Sequence, residues 1–302
     1  MTEPLIVTVI LNTNRREDTL ACLAALAQNA YANQQVIVLD NHSTDGSVAA
    51  IRAAFPAVQI LELTDNRGYA GNNNVGIAAA LAQGAEWVFV LNEDTILAPD
   101  CLHNLMTVGA SDPTIGIVGP MVYHHDEPTV IQSGGGMLSR SWDSLHIAKD
   151  QPDQGQLQQP HRVEWISGCA ILVRRAVIEQ VGMIDERFFY FWEETEWCIR
   201  AGKAGWQIFH VPAAKLWHKG VQRNYQPKAS LFYYSTRNRL LVLAKHRAPV
   251  GVWMMAWGEL LRTLVSWTLK PKWRTKRDHR DAMWHGMVDF LRQRWGQMPS
   301  RS

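Results

Sequence analysis

Apolar and polar positions fall in alternating blocks along the first third of the chain. Leu5 to Leu11 is an apolar, β-branched run that predicts a strand. Asn12-Thr13-Asn14 follows it with N-cap residue types for a helix reaching Gln28. Val36 to Leu39 predicts a second strand, ending in Asp40-Asn41-His42-Ser43-Thr44-Asp45-Gly46, with a helix over Ser47 to about Ala54 behind it. Val58 to Leu63 predicts a third, ending in Asp65-Asn66-Arg67-Gly68-Tyr69-Ala70-Gly71-Asn72-Asn73-Asn74, and an Ala-rich helix then reaches Gln83. Trp87 to Leu91 predicts a fourth, which breaks abruptly into Asn92-Glu93-Asp94-Thr95. Uninterrupted apolar strands alternating with helices argue a parallel sheet with right-handed crossovers. All four strands end in polar or glycine-rich loops, which then meet along the carboxyl edge where open α/β sheets bind ligands.

The pattern continues less regularly. Pro99 opens a helix to about Gly109, and Ile115 to Val122 predicts a strand. Residues 124–162 show little periodicity and predict loops with short strands. Glu164 to Val173 predicts a strand carrying Ser167-Gly168, and Arg174 to Val181 a short helix. Five aromatics, Phe188 to Trp192, then deliver Glu193-Glu194-Thr195-Glu196 to the start of a helix ending near Gly205. Trp206 to Val211 predicts a last strand, before Leu216-Trp217-His218-Lys219-Gly220. From Ala229 the pattern is helical, cut into three pieces by Pro249 and Pro271. The organisation is therefore an α/β domain over 1–228 and a helical extension over 229–302.

Charge changes the picture of that extension. The chain of 302 residues carries a net charge of only +2. From Lys245 onward there are twelve Lys/Arg against four Asp/Glu, so the tail carries +8 and the remainder −6, and six of the 13 tryptophans lie in the tail. In its middle piece Trp253, Trp257, Leu261 and Leu264 recur at helical spacing, with Glu259, Arg262 and Ser266 elsewhere on the wheel. Beside Lys270, Lys272, Arg274, Lys276 and Arg277, this suits a helix lying on an anionic membrane surface; the plainer alternative is a helix packed on the domain with a solvated basic face. No run of 18 apolar residues predicts a spanning helix, and no cleavable leader is read at the N-terminus. Four scattered cysteines, Cys22, Cys101, Cys169 and Cys198, suggest neither a metal site nor a disulfide framework, and so a reducing compartment. The expected location is cytoplasmic, peripheral at the inner face of the cell membrane.

The strand ends suggest a chemistry. Asp40 is a carboxylate able to accept from a base N–H. Arg67 is able to pair with phosphate, and Gly68 and Gly71 allow close backbone approach to an anion at the following helix start. Asp94 is able to hold a divalent cation that bridges a diphosphate. A lysine-bearing P-loop and the dinucleotide Gly-x-Gly-x-x-Gly are both absent. The Glu193-Glu194-Thr195-Glu196 cluster satisfies the helix dipole. Three carboxylates beside an aromatic wall are also desolvated and mutually repelling, which raises a carboxyl pKa toward that of a general base. Glu196 and Arg200 are spaced to pair along the helix. His218, just past the last strand, is either structural or a neutral imidazole ligand to the cation held by Asp94.

These residues form an ordered series of motifs: 38–46, 65–76, Leu-Asn-Glu-Asp-Thr at 91–95, Ser-Gly-Cys-Ala-Ile-Leu-Val-Arg-Arg at 167–175, Asp-Glu-Arg-Phe-Phe-Tyr-Phe-Trp-Glu-Glu at 185–194, Trp-His-Lys-Gly at 217–220 and Arg-Asn-Arg at 237–239. The chain thereby resembles the inverting nucleotide-sugar glycosyltransferases of family two, rhamnosyltransferase-like branch, over about residues 5–245. The resemblance implies the GT-A fold, a mostly parallel Rossmann-like sheet flanked by helices. It implies that Thr13, Asn14, Asp40, Asn41, Arg67, Asn72, Asn92 and Glu93 bind the nucleotide sugar, and that Asp94 and His218 hold Mn2+ or Mg2+. Asn92 stands at the first position of the family's Asp-x-Asp motif. Glu194 is placed as the base with Glu193 beside it, and Ser167, Gly168, Trp192, Arg237 and Asn238 on the acceptor side. The implied donor is a nucleotide-diphosphate sugar, dTDP-rhamnose first and a UDP-sugar second. The implied acceptor is a glycan or lipid-linked glycan; no nucleic-acid partner is expected. A non-catalytic nucleotide- or glycan-binding relative is the alternative of a different class.

Overall fold

The computed structural model describes residues 3–220 and 226–299. Alternating strands and helices open the chain: β1 (Ile6–Asn12), α1 (Arg16–Ala27), β2 (Gln34–Asp40), α2 (Ser47–Ala54), β3 (Gln59–Glu62), α3 (Gly68–Ala82) and β4 (Trp87–Asn92). Then come β5 (Thr95–Leu97), α4 (Cys101–Gly109), β6 (Ile115–His124), and the short strands β7 (Ile131–Ser133), β8 (Gly136–Leu138), β9 (Ser144–His146) and β10 (His161–Arg162). The domain finishes with β11 (Ala170–Arg174), α5 (Arg175–Val181), α6 (Glu193–Lys203) and β12 (Gln207–His218), and is followed by α7 (Ala229–Lys245), α8 (Val250–Leu269) and α9 (Arg277–Leu291).

The main sheet has the order β10-β12-β6-β11-β4-β1-β2-β3, with β5 added on β12 and β7 on β6. Strands β3, β2, β1 and β4 are mutually parallel, β11 is antiparallel to both neighbours, and β6 and β12 are parallel to each other. Both faces are buried, which is why β4 reads as an unbroken apolar run. Ile6, Ile10, Phe89, Leu91 and Leu172 face α1 and α4; Val7, Val9, Val88, Val90 and Ile171 face α3, α5 and α6. Helix α3 approaches the sheet so closely that a Cβ on Gly76 would run into Val9.

Three differences from the sequence reading matter. The strand expected over Glu164–Val173 begins only at Ala170. Residues 167–169 form a turn, closed by Ala170 N–H donating to the Ser167 carbonyl at 3.1 Å. The last strand does not stop before Pro212. Three residues bulge out between Val211 and Lys215, absorbing a proline that cannot donate to a ladder, and pairing resumes to His218. In α8 the inward row is Val252, Ala256, Leu260 and Leu264, with Trp253 and Trp257 half-buried on its flank; Leu261 faces solvent. Val250, Met254, Val265 and Leu269 are exposed with it, so α8 is apolar on both sides.

Candidate active site

Parallel register brings the strand ends into one row: Asn12 stands opposite Asp40, and Leu11 opposite Asn92. At the β1–β2 end, Asp40 is buried. One carboxylate oxygen accepts from Asn12 Nδ2 at 2.8 Å and the other from the Ser43 N–H at 3.0 Å. Asn14, in a left-handed conformation, accepts from the Thr44 N–H at 2.7 Å, and Asn41 Nδ2 donates to Thr13 Oγ1 at 3.3 Å. Asn41 Oδ1 is a buried acceptor without a partner, and Thr13 is exposed beside it. Asn12, which sequence reasoning treated as a cap, is the tie that fixes the Asp40 carboxylate.

Arg67 and Asn72 stand at the start of α3. The Arg67 N–H donates to Asn72 Oδ1 at 3.0 Å, and the exposed guanidinium reaches Glu186 at 2.6 Å. Arg67 therefore ties the α3 entry to the segment that carries the aromatic run.

The bulge that prolongs β12 carries His218 onto β5, where it pairs with Thr95 and lies beside Asp94. Asp94 Oδ1 sits 3.1 Å from His218 Nε2 but makes no aligned hydrogen bond, so it is a buried oxygen without a hydrogen-bond donor. Burial pushes the Asp94 carboxyl up, but His218 and Arg15 more than offset this, and it lies below the usual carboxylate range. A Cβ on Gly220 would come within 2.5 Å of Asp94 Oδ2 and 3.1 Å of His218 Nε2, so glycine keeps that space open. Asn92 Nδ2 is 3.5 Å from the same His218 nitrogen. Burial, and then the Asp94 charge, push Glu93 up to about 7. Among the described residues no three His, Cys, Asp or Glu side chains form a ready-made metal cage. An anionic oxygen and an imidazole nitrogen aimed at one point nonetheless suit a divalent cation whose remaining ligands are phosphate oxygens and water.

The acidic cluster starts α6 on the other side of the 167–169 turn. Its three members separate by environment. Glu196 is buried and saturated, by Arg200 at 2.9 Å, Lys245 at 2.9 Å and His246 at 3.0 Å, and its pKa is lowered because these partners outweigh burial. Glu193 is buried with an unpartnered oxygen, and burial, then the adjacent Glu194, push it well above the carboxylate range. Glu194 is half-buried, with one free oxygen; burial raises it, opposed by the N–H groups of Thr195 and Gly168. A Cβ on Gly168 would touch the Glu194 carboxyl carbon at 3.4 Å. The Gly168 carbonyl on the same turn accepts from Tyr69 Oη at 2.6 Å, and the Cys169 carbonyl accepts from the Asn92 N–H at 2.9 Å. Ser167 Oγ lies 3.3 Å from Cys169 Sγ. The Cys169 thiol, raised to about 12 chiefly by burial, also feels the charges of both Asp94 and Glu194. The turn is thus the floor between the two acids.

The loop before α6 is strained. Phe189, Phe191 and Trp192 all have positive φ, at 63°, 66° and 75°. It is held from behind by α7. Asn238 Nδ2 lies 2.8, 2.8 and 2.7 Å from the carbonyls of Phe188, Tyr190 and Phe191, and Arg237 donates to the Phe188 carbonyl at 3.0 Å. Arg237 and Asn238 are fully buried there, and Trp192 packs in one cluster with Phe188 and with Leu241 and Val242 of α7.

The family model for glycosyl transferase family 2 matches residues 7–182. The chain belongs to glycosyltransferase family 2. This family 2 member is 29% identical over 267 residues to an N-acetylglucosaminyl-diphospho-decaprenol L-rhamnosyltransferase of Mycobacterium tuberculosis, covering 82% of this chain and 83% of that one. It is 25% identical over 250 residues to a dTDP-rhamnosyl transferase of Shigella flexneri, covering 80% and 79%. Its fold is similar to that of a mannosyltransferase from Pyrobaculum calidifontis in complex with GDP-Man and Mn2+, at a TM-score of 0.60 and 17% identity, covering 96% of this chain and 88% of the other. The GT-A fold expected from the sequence is therefore the fold found, and the enzyme is a glycosyltransferase. Tyr69 was missed as a site residue although it lies inside a motif. Gln132, which bonds His218, lies in a stretch with no pattern to flag it.

Proposed function

We propose that this glycosyltransferase moves L-rhamnose, with inversion, from dTDP-rhamnose to a lipid-linked glycan at a membrane surface. The observation that carries the reading is the placement of two unlike acids across one turn. Asp94, its pKa lowered beside His218, follows the end of β4 whose Asn92 N–H is bonded to the Cys169 carbonyl of the turn; Glu194, its pKa raised by burial, lies against Gly168 of the same turn from α6. The names of the two rhamnosyltransferase relatives support the donor and the acceptor class.

The Asp40–Asn41–Thr13 end receives the base and the loops around Arg67 and Asn92 the diphosphate. Asp94 and His218 would hold the divalent cation, which when bound would neutralise charge on the departing diphosphate. Glu194 takes the proton of the acceptor hydroxyl. The hydroxyl oxygen forms a bond to the anomeric carbon as the bond to the phosphate oxygen breaks, and dTDP leaves on the opposite face. Burial and the adjacent Glu194 push Glu193 toward its neutral form, which favours a single negative charge on the pair.

The helical extension supplies the membrane side. No described helix is long and apolar enough to cross a membrane. The solvent side of α8 nevertheless presents Val250, Met254, Leu261, Val265 and Leu269, joined by Trp284 of α9. Exposed Lys270, Lys272, Arg274 and Arg277 follow directly. An apolar face bordered by cations fits an anionic lipid surface, where each cation contributes about 1 kcal/mol. The test offers dTDP-rhamnose and UDP-sugars in parallel, with Mn2+ and a lipid diphosphate-linked GlcNAc acceptor. Rhamnosyl transfer is expected; turnover of a UDP-sugar alone overturns the donor assignment, and no transfer from any donor overturns the reaction.

A further inference from the structure

A cavity of about 500 Å³ lies between the β8–β9 hairpin and one flank of α8. None of the residues assigned above to the donor, the cation or the base lines it. Three arginines do: Arg140 from the hairpin turn, Arg239 from α7 and Arg262 from α8. Arg239 closes the Arg-Asn-Arg motif, whose first two members hold the loop before α6. Arg239 reaches the hairpin and α8 instead: its Nη2 donates to the Ser141 carbonyl at 2.7 Å and pairs with Glu259 Oε2 at 2.8 Å. Arg239 is buried, and its Nε has no acceptor.

Two carboxylates share the lining. Glu259 is committed to Arg239 and to Ser141 Oγ, which donates to it at 2.8 Å. Burial pushes the Asp143 carboxyl up, against the opposing charge of Arg239. Even with both acids ionised the lining is positive, three charges against two. Arg140 and Arg262 are exposed, and among the described residues neither makes an ion pair or a side-chain hydrogen bond. Their guanidinium forks are free, and such a fork matches a phosphate with two parallel N–H···O bonds.

The place of the cavity narrows the source of that phosphate. Arg262 directly follows Leu261 of the exposed apolar face, so it stands about 100° round the helix from it. With that face sunk into the headgroup boundary of a bilayer, this flank stands at the level of the lipid phosphates. Leu145 and Met255, both exposed, supply apolar lining beside the arginines.

We propose that this cavity binds the phosphate of an anionic membrane lipid, gripped by Arg140 and Arg262 over the Arg239 charge, with Leu145 and Met255 against the first methylenes of its tails. The lipid source rests on the membrane reading above; the anion site does not. A headgroup held here fixes the rotation of α8 on the membrane, which diffuse attraction does not.

The test separates site, source and membrane. In calorimetry, monomeric short-chain phosphatidylglycerol should bind wild type at one site, and inorganic phosphate at least about tenfold more weakly, two buried methylenes being worth that much. Arg140→Lys with Arg262→Lys keeps both charges, so diffuse attraction would leave binding unchanged. Loss of the two forks should instead weaken binding of the short-chain lipid, and of phosphatidylglycerol vesicles, at least about tenfold, with the melting temperature unmoved. Lys270→Gln with Lys272→Gln, outside the cavity, should lower vesicle binding and leave the short-chain lipid unaffected. No binding of that lipid by wild type, equal affinity in the double lysine variant, or inorganic phosphate bound as tightly as the lipid overturns the proposal. If the short-chain lipid binds as stated and vesicles do not, the site stands and the membrane part of the proposed function falls.

Discussion

Asn238→Ala separates holding a loop from merely filling space. Asn238, itself fully buried, places Nδ2 2.7–2.8 Å from three carbonyls, those of Phe188, Tyr190 and Phe191. The amide has two hydrogens, so two full bonds or their shared equivalent are lost. Each buried carbonyl left without a donor costs about 1–3 kcal/mol. Three residues with positive φ, Phe189, Phe191 and Trp192, each store about 1–3 kcal/mol, and that strain relaxes once the grip is gone. The net loss of stability is therefore smaller than the sum of bonds, about 2–3 kcal/mol. The relaxation moves the start of α6, so Glu194 leaves its place against Gly168. Urea unfolding should show the stability loss, and transfer kinetics should show kcat falling about 100-fold, as for a displaced reacting group. The donor KM should change little, because the Asp40 end is untouched. Retention of kcat within twofold alongside the stability loss would refute the idea that the grip places Glu194.

Four further outcomes are expected. Glu194→Gln should lower kcat about 100- to 10,000-fold, as loss of a general base does, whereas Glu193→Gln, isosteric with the protonated acid, should keep most of it; a reversed ranking would exchange their roles. A carboxyl raised in the folded state stabilises fully below its unfolded pKa and loses that contribution as pH climbs through its folded value. Glu193→Gln should thus melt higher than wild type at neutral and alkaline pH and match it in acid, and transfer by wild type should decline as pH falls through the raised pKa of Glu194. Asp94→Asn and His218→Ala should each abolish Mn2+ uptake in calorimetry and reduce kcat/KM about 100-fold or more, since a Lewis acid at a leaving group supplies several kcal/mol; unchanged metal binding in both would remove them as ligands. Replacing Leu261 and Val265 together by Glu should reduce sedimentation with anionic vesicles at least about tenfold, each buried apolar side chain being worth about 1.5–3 kcal/mol, while leaving turnover of a soluble acceptor analogue unchanged.

How legible these features were in the sequence follows from what each physically requires. Strands β1, β2 and β4 were legible because strands buried on both faces must be largely apolar, and β3, at the sheet edge, through its Ile60-Leu61 centre. Their loops were legible because ligand-facing ends must not be. The extension of β12 past Pro212 was not, since a proline normally ends pairing and a bulge leaves no composition mark. The stripe of Trp253, Trp257, Leu261 and Leu264 read on α8 divides between two faces, Leu264 packing inward and Leu261 facing solvent, because both sides of the helix are apolar. Arg237 and Asn238 were visible as a motif, but their grip on main-chain carbonyls was not, because those acceptors belong to every residue alike. Gln132 carried no signal at all; its importance exists only where β6, β7 and β12 lie side by side.

The reversed direction of β11 bears on how the chain is made. Strand β4 is nearly pure hydrocarbon, and one of its edges pairs only with β11, which the ribosome delivers long after β4, β5 and β6. Until Ala170–Arg174 emerges, the nascent chain carries a bare, sticky edge of the kind that seeds aggregation. Chains cut short before residue 174 should therefore collect in the insoluble fraction, whereas those that run past β12, which covers the outer edge of β6, should not.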